Sequence, residues 1–133
     1  MQTLQKAGSP ADAALTCLIV DDSAFARLHL RRLMDSFEGV AASEASNGNE
    51  ALSEYKRLKP NIVLMDIVMP GLEGIETVRR ICQTDPSARI IMISSVSYGE
   101  KIEEAMAAGA RRFIPKPVTP EALKEAIEAV LAS

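Results

Sequence analysis

Residues 62–66 read Ile62-Val63-Leu64-Met65-Asp66, four large apolar side chains in a row and then a carboxylate. An unbroken run of this length has no polar face to offer water. It fits a strand buried on both sides, as in a parallel sheet covered by helices. The same form recurs on either side of it. Cys17-Leu18-Ile19-Val20 leads into Asp21-Asp22, and Ile90-Ile91-Met92-Ile93 leads into Ser94-Ser95. Two weaker runs, Val40-Ala41-Ala42 and Arg112-Phe113-Ile114, complete a set of five.

The segments between these runs carry helical spacing. Phe25, Leu28, Leu33 and Phe37 mark the first apolar stripe, and Ala51, Leu52, Tyr55 and Leu58 the second. Ile75, Val78, Ile81 and Cys82 mark the third, Ile102, Ala105 and Met106 the fourth, and Leu123, Ala126, Ile127, Val130 and Leu131 the last. Each has a charged opposite face. Pro60 follows the second stripe, Asp85-Pro86 the third, and Gly109 closes the fourth. Thr119-Pro120-Glu121 reads as an N-cap, a proline at the first helical position and an acidic first turn. Strand and helix thus alternate five times. Such alternation predicts an α/β domain with a parallel sheet, helices on both faces and right-handed crossovers.

Composition sets the outer limits. A chain of 133 residues is one domain of ordinary size, with 47% apolar and 25% charged residues. The division expected is residues 1–14 as a flexible leader, mixed in Gly, Ser, Pro and Ala, and residues 15–133 as the folded domain. Fifteen basic and eighteen acidic side chains give a net charge of −3, which argues against an electrostatic partner such as nucleic acid. No apolar run reaches the ~18 residues of a membrane span, so membrane insertion is not expected. Residues 1–14 lack the apolar stretch of a signal peptide, so the expected compartment is the cytoplasm. Cys17 and Cys82 are too few for a disulfide framework or a zinc site and read as buried free thiols. His29, the single histidine, reads as a surface residue, and Arg79-Arg80 and Arg111-Arg112 as solvated faces.

Sites in open parallel sheets lie beyond the carboxyl ends of the strands. Asp21 and Asp22 close the first run, Asp66 the third and Ser94 the fourth, and Lys116-Pro117 follows the fifth. Three carboxylates at one edge repel one another by several kcal/mol at an effective dielectric near 20, so the cluster calls for a cation. Oxygen ligands alone suit Mg²⁺. A metal there screens a carboxylate nucleophile from an incoming phosphoryl group, with Ser94 and Lys116 placed to meet its other oxygens. Gly71 and Gly74 form no GxxxxGK[ST] loop, so a nucleotide-driven switch is not expected.

The stretches LIVDDS (18–23), LMDIVMPGLEG (64–74), MISS (92–95) and FIPKP (113–117) together resemble the response-regulator receiver domain of two-component systems, of the single-domain chemotaxis-regulator type. The resemblance spans about residues 15–131. It implies a flavodoxin-like three-layer sandwich with strand order 2-1-3-4-5. Asp66 then resembles the phosphoacceptor, and Asp21 and Asp22 the acidic pair for Mg²⁺, completed by the backbone carbonyl of Val68. Ser94 takes the switch hydroxyl position, Phe113 the aromatic switch position, and Lys116 that of the invariant lysine, with a cis bond to Pro117. The implied donor is a histidine kinase. The implied output is a target or phosphotransfer protein bound through the face of the fourth helix, fifth strand and fifth helix, by a monomer or a phosphorylation-dependent dimer.

Departures from the family pattern are few. Ser95 stands where Ala or Gly is usual and narrows access to Asp66. Val68 and Val96 offer nothing to orient an attacking water, so slow intrinsic dephosphorylation is expected. No output domain follows residue 133, so a stand-alone signalling protein is expected rather than an enzyme. The two readings of its role are a chemotaxis or motility regulator and a phosphate sink or phosphorelay intermediate. A small-molecule phosphatase needs an acidic residue at position 68 and a cap, and the chain offers neither.

Overall fold

The computed structural model describes residues 15–67, 69, 73–95 and 99–132. The expected leader over 1–14, the Val68 carbonyl and Val96 lie outside the described residues. Among the described residues, strands and helices alternate in ten elements: β1 (Leu15–Val20), α1 (Ala24–Asp35), β2 (Val40–Ala45), α2 (Gly48–Leu58), β3 (Ile62–Asp66), α3 (Gly74–Thr84), β4 (Ile90–Ser94), α4 (Gly99–Ala108), β5 (Arg112–Pro115) and α5 (Pro120–Ala132). The sheet is parallel throughout, in the order β2-β1-β3-β4-β5. β3 lies at its centre and is buried at every residue, as is β4.

Alternation of side chains along the strands divides the core in two. Leu18, Val20, Val63, Met65, Ile90 and Met92 pack under α2, α3 and α4 with Tyr55, Val78 and Ile81. Cys17, Ile19, Leu64, Ile91 and Ile93 pack under α1 and α5 with Leu30, Met34, Leu123 and Ile127. Helix starts follow local chemistry. Ser23, Asn47 and Thr119 accept hydrogen bonds from the amides of Ala26, Glu50 and Ala122 at 3.2, 2.8 and 3.1 Å. α4 gives way to Gly109 at φ +126°, a conformation that disfavours any side chain.

The structure corrects two readings of the sequence. Phe25 and Leu28 are 83% and 44% exposed, and α1 buries Leu30 and Met34 instead. At about 100° per residue, Phe25 and Leu28 fall on the side of the helix opposite that pair, whereas Leu33 and Phe37 fall near it and pack against the core. Cys17 is buried as expected, but Cys82 is only partly so. Among the described residues no helix is long and apolar enough to cross a membrane.

Burial pushes the Cys17 thiol up to about 12 from an ordinary 9.0. The folded state therefore holds this proton where the unfolded chain releases it, and stability falls as pH rises past 9.0. The stability advantage of wild type over Cys17→Ala is expected to shrink between pH 9 and about 11, read by urea unfolding. A pH-independent difference contradicts this.

Candidate functional site

The carboxyl ends of β1, β3 and β4 stand side by side, and the loop after β5 reaches across them. Asp21, Asp22 and Asp66 each offer a carboxylate oxygen, and the three oxygens lie within 4.8 Å of one another. Asp21 is 1% exposed and Asp66 7%, while Asp22 is open to solvent. The Lys116 Nζ donates to Asp21 Oδ2 at 3.0 Å and stands 3.9 Å from Asp66 Oδ2. Lys116 thus lies beside two of the three carboxylates, and the set is oxygen-only, which fits a hard divalent ion and not zinc. Ser94 is buried at the end of β4, and its carbonyl accepts from the Lys116 amide at 3.0 Å. The Lys116–Pro117 peptide is cis.

Asp21 is held from all sides. Its amide donates to the Ala45 carbonyl at 3.2 Å, its Oδ1 accepts from the Ser23 amide at 2.9 Å, and its carbonyl accepts from Arg27 Nη1 at 2.7 Å. Ser23 therefore serves two ends at once, capping α1 with its hydroxyl and binding Asp21 with its amide. Behind Asp66 the chain turns closely. A Cβ on Gly74 would stand 1.9 Å from the Asp66 carbonyl oxygen, so only glycine lets α3 start here.

Phe113 is half-buried and packs against the core beneath α4. With Ile102, Met106, Ala122 and Ala126 it lines a groove of about 480 Å³ between α4, β5 and α5. Ser95 is exposed. It borders a second groove of about 400 Å³ with Phe25, His29, Lys116 and Val118. His29 is exposed, with Nε2 3.2 Å from the Val118 carbonyl. Both arginine pairs are engaged locally: Arg79 and Arg80 with Glu76, Arg112 with Glu125, and Arg111 Nε with the Ala88 carbonyl at 3.1 Å.

The site residues read from the sequence that are described here thus meet at one edge, with Phe113 set apart in the groove beside α4. Sequence reading missed the grip of Arg27 on Asp21, because nothing in its spacing sets it apart from Arg31 and Arg32. It also missed the role of Gly74, although the MPGLEG stretch held the signal.

A parallel α/β sheet with an acidic cluster at its carboxyl edge and a lysine lying over it defines a class of regulatory domain. The chain belongs to the response regulator receiver domain family, whose model matches residues 17–128. It is 44% identical over 113 residues to the chemotaxis protein CheY of Thermotoga maritima, covering 85% of this chain and 94% of that protein. CheY of Bacillus subtilis is 42% identical over 116 residues, covering 86% and 95%. Among solved structures, the CheX–CheY–BeF3–Mg²⁺ complex of Borrelia burgdorferi superimposes with a TM-score of 0.83 at 28% identity. That match covers 95% of this chain and all of the other.

Gly74→Ala is expected to cost about 1–3 kcal/mol of stability, because a methyl group there displaces the Asp66 carbonyl. An unchanged urea midpoint rules out the close approach described.

Proposed function

We propose that this chain acts as a response regulator of chemotaxis or motility signalling and takes a phosphoryl group on Asp66 from a histidine kinase. The observation that carries the reading is the meeting of Asp21, Asp22 and Asp66 within 4.8 Å under Lys116. The kinship with CheY proteins supports the pathway.

Asp21, Asp22 and Asp66, with the Val68 backbone carbonyl, would hold Mg²⁺. Held there, Mg²⁺ would supply charge screening between the Asp66 carboxylate and the incoming phosphoryl group. An Asp66 carboxylate oxygen attacks phosphorus, the P–N bond of the donor phosphohistidine breaks, and the freed imidazole keeps the electron pair and takes up a proton. Lys116 then turns from carboxylates to the phosphoryl oxygens. Its place between Asp21 and Asp66 leaves it a short move away. The Ser94 hydroxyl donates to a further phosphoryl oxygen. Drawing Ser94 inward leaves room for Phe113 to turn in from its half-buried place, which reshapes the groove between α4, β5 and α5. The phosphoryl group is a local charge that biases a two-state element, and the target binds one state. The only chemistry assigned to the chain is its own phosphorylation and dephosphorylation.

Intact mass after incubation with a small phosphodonor tests this. One phosphoryl adduct is expected with Mg²⁺, none without it, and none on Asp66→Asn. An adduct on Asp66→Asn, or no adduct from either a small donor or a histidine kinase, removes the reading. After the donor is withdrawn, the adduct is expected to persist for minutes, because the valines of the sequence at 68 and 96 carry no polar group that could orient water. Loss within seconds contradicts that. Target affinity that rises on phosphorylation marks a regulator, whereas drainage of label from the kinase with no such rise marks a phosphate sink or relay.

A further inference from the structure

We infer that Arg27 is a positioning residue for the metal site, its side chain acting through the peptide that precedes Asp22; this rests on the Mg²⁺ reading above. Asp22 is the exposed member of the cluster, and no hydrogen bond or ion pair to another described residue fixes its carboxylate. Its direction is therefore set by its own backbone, and both flanking peptides are pinned. Upstream, the Asp21 carbonyl accepts from Arg27 Nη1 at 2.7 Å. Downstream, the Ser23 amide donates to Asp21 Oδ1 at 2.9 Å, and the Ser23 carbonyl accepts from the Arg27 amide at 3.0 Å.

The guanidinium is itself anchored. Arg27 Nε donates to Glu44 Oε1 at 3.0 Å, and Arg31 Nε holds the other oxygen of the same carboxylate at 2.7 Å. Those contacts hold the Glu44 carboxyl below its usual range, the Arg31 hydrogen bond foremost, so it stays charged. Glu44 precedes Ala45, whose carbonyl accepts from the Asp21 amide at 3.2 Å. Asp21 is thus tied to the end of β2 twice, once directly and once through Arg27 and Glu44. Only a planar fork spans a carbonyl and a carboxylate in this way, and a lysine ammonium reaches one or the other.

A purely electrostatic role predicts the opposite effect. Arg27 is a positive charge near a cation site, so removing it would strengthen Mg²⁺ binding. Positioning predicts weakening. Groups that orient metal ligands typically cost ten- to a hundredfold in affinity when lost.

The experiment is Mg²⁺ affinity by isothermal titration calorimetry on the full chain, with circular dichroism to confirm folding. Arg27→Gln and Arg27→Lys are both expected to bind about tenfold more weakly or worse. Arg31→Gln, which removes the same charge and a bond to the same Glu44 without touching Asp21, is expected to stay within about threefold of wild type. Should Arg27→Gln fail to fold, Arg27→Lys carries the test, because it keeps the charge. The inference is overturned if Arg27→Lys binds within about threefold of wild type, or if Arg31→Gln weakens binding as much as it does. Wild type that binds no Mg²⁺ removes the reading of the site and this inference with it. Wild type that binds while Arg27→Lys matches it removes the inference alone.

Discussion

Repulsion among three carboxylates at one sheet edge is the constraint on which the rest depends. At 4.8 Å and an effective dielectric near 20, each pair of charges opposes the other by roughly 3–4 kcal/mol. Lys116 offsets part of this, being 3.0 Å from Asp21 and 3.9 Å from Asp66. One ammonium beside two of the acids does not match three negative charges when all are ionised. A fold that keeps such a cluster has to hold each member against its neighbours. The structure does so with central strands that are buried throughout, so that their ends do not splay.

The supports differ from acid to acid. Asp66 ends β3, with the start of α3 packed so close behind it that only Gly74 fits. Asp21 is fixed by β2, Ser23, Arg27 and Lys116 together. Asp22 has no such holders among the described residues and faces solvent. Two acids are thus buried and rigidly seated, and one stands at the mouth. That asymmetry suits the proposed function, in which an ion and a phosphoryl group would enter from outside while Asp66 is kept in place. It also links the site to the far face. Lys116 and Phe113 lie on one short stretch of chain around the end of β5, so a change in what Lys116 pairs with acts close to the α4–β5–α5 groove.

Much of this was legible in the sequence, for physical reasons that vary by residue. Ile62–Met65 and Ile90–Ile93 announce themselves because a strand buried on both faces tolerates no polar residue. The acids that follow such runs are then placed by topology alone. The order of the strands was not legible from periodicity and came from the resemblance to the receiver family; the sheet has that order. Phe25 and Leu28 misled, because an apolar pair on a helix does not reveal which side meets the sheet, and Leu30 with Met34 took that side. The difference in burial between Asp21 and Asp22 was equally hidden, since adjacent identical residues carry no signal of which one turns inward. Arg27 and Gly74 act through backbone oxygens, and a contact to a backbone atom leaves no pattern in the partner's residue type.

The most direct test of the central claim is the urea midpoint of Asp22→Asn against wild type, each with and without Mg²⁺. If the cluster is held under repulsion and relieved by a cation, the metal-free Asn variant is more stable than metal-free wild type. Mg²⁺ then raises the wild-type midpoint and leaves that of the variant nearly unchanged. A metal-free variant less stable than wild type, or an equal response of both proteins to Mg²⁺, contradicts the account.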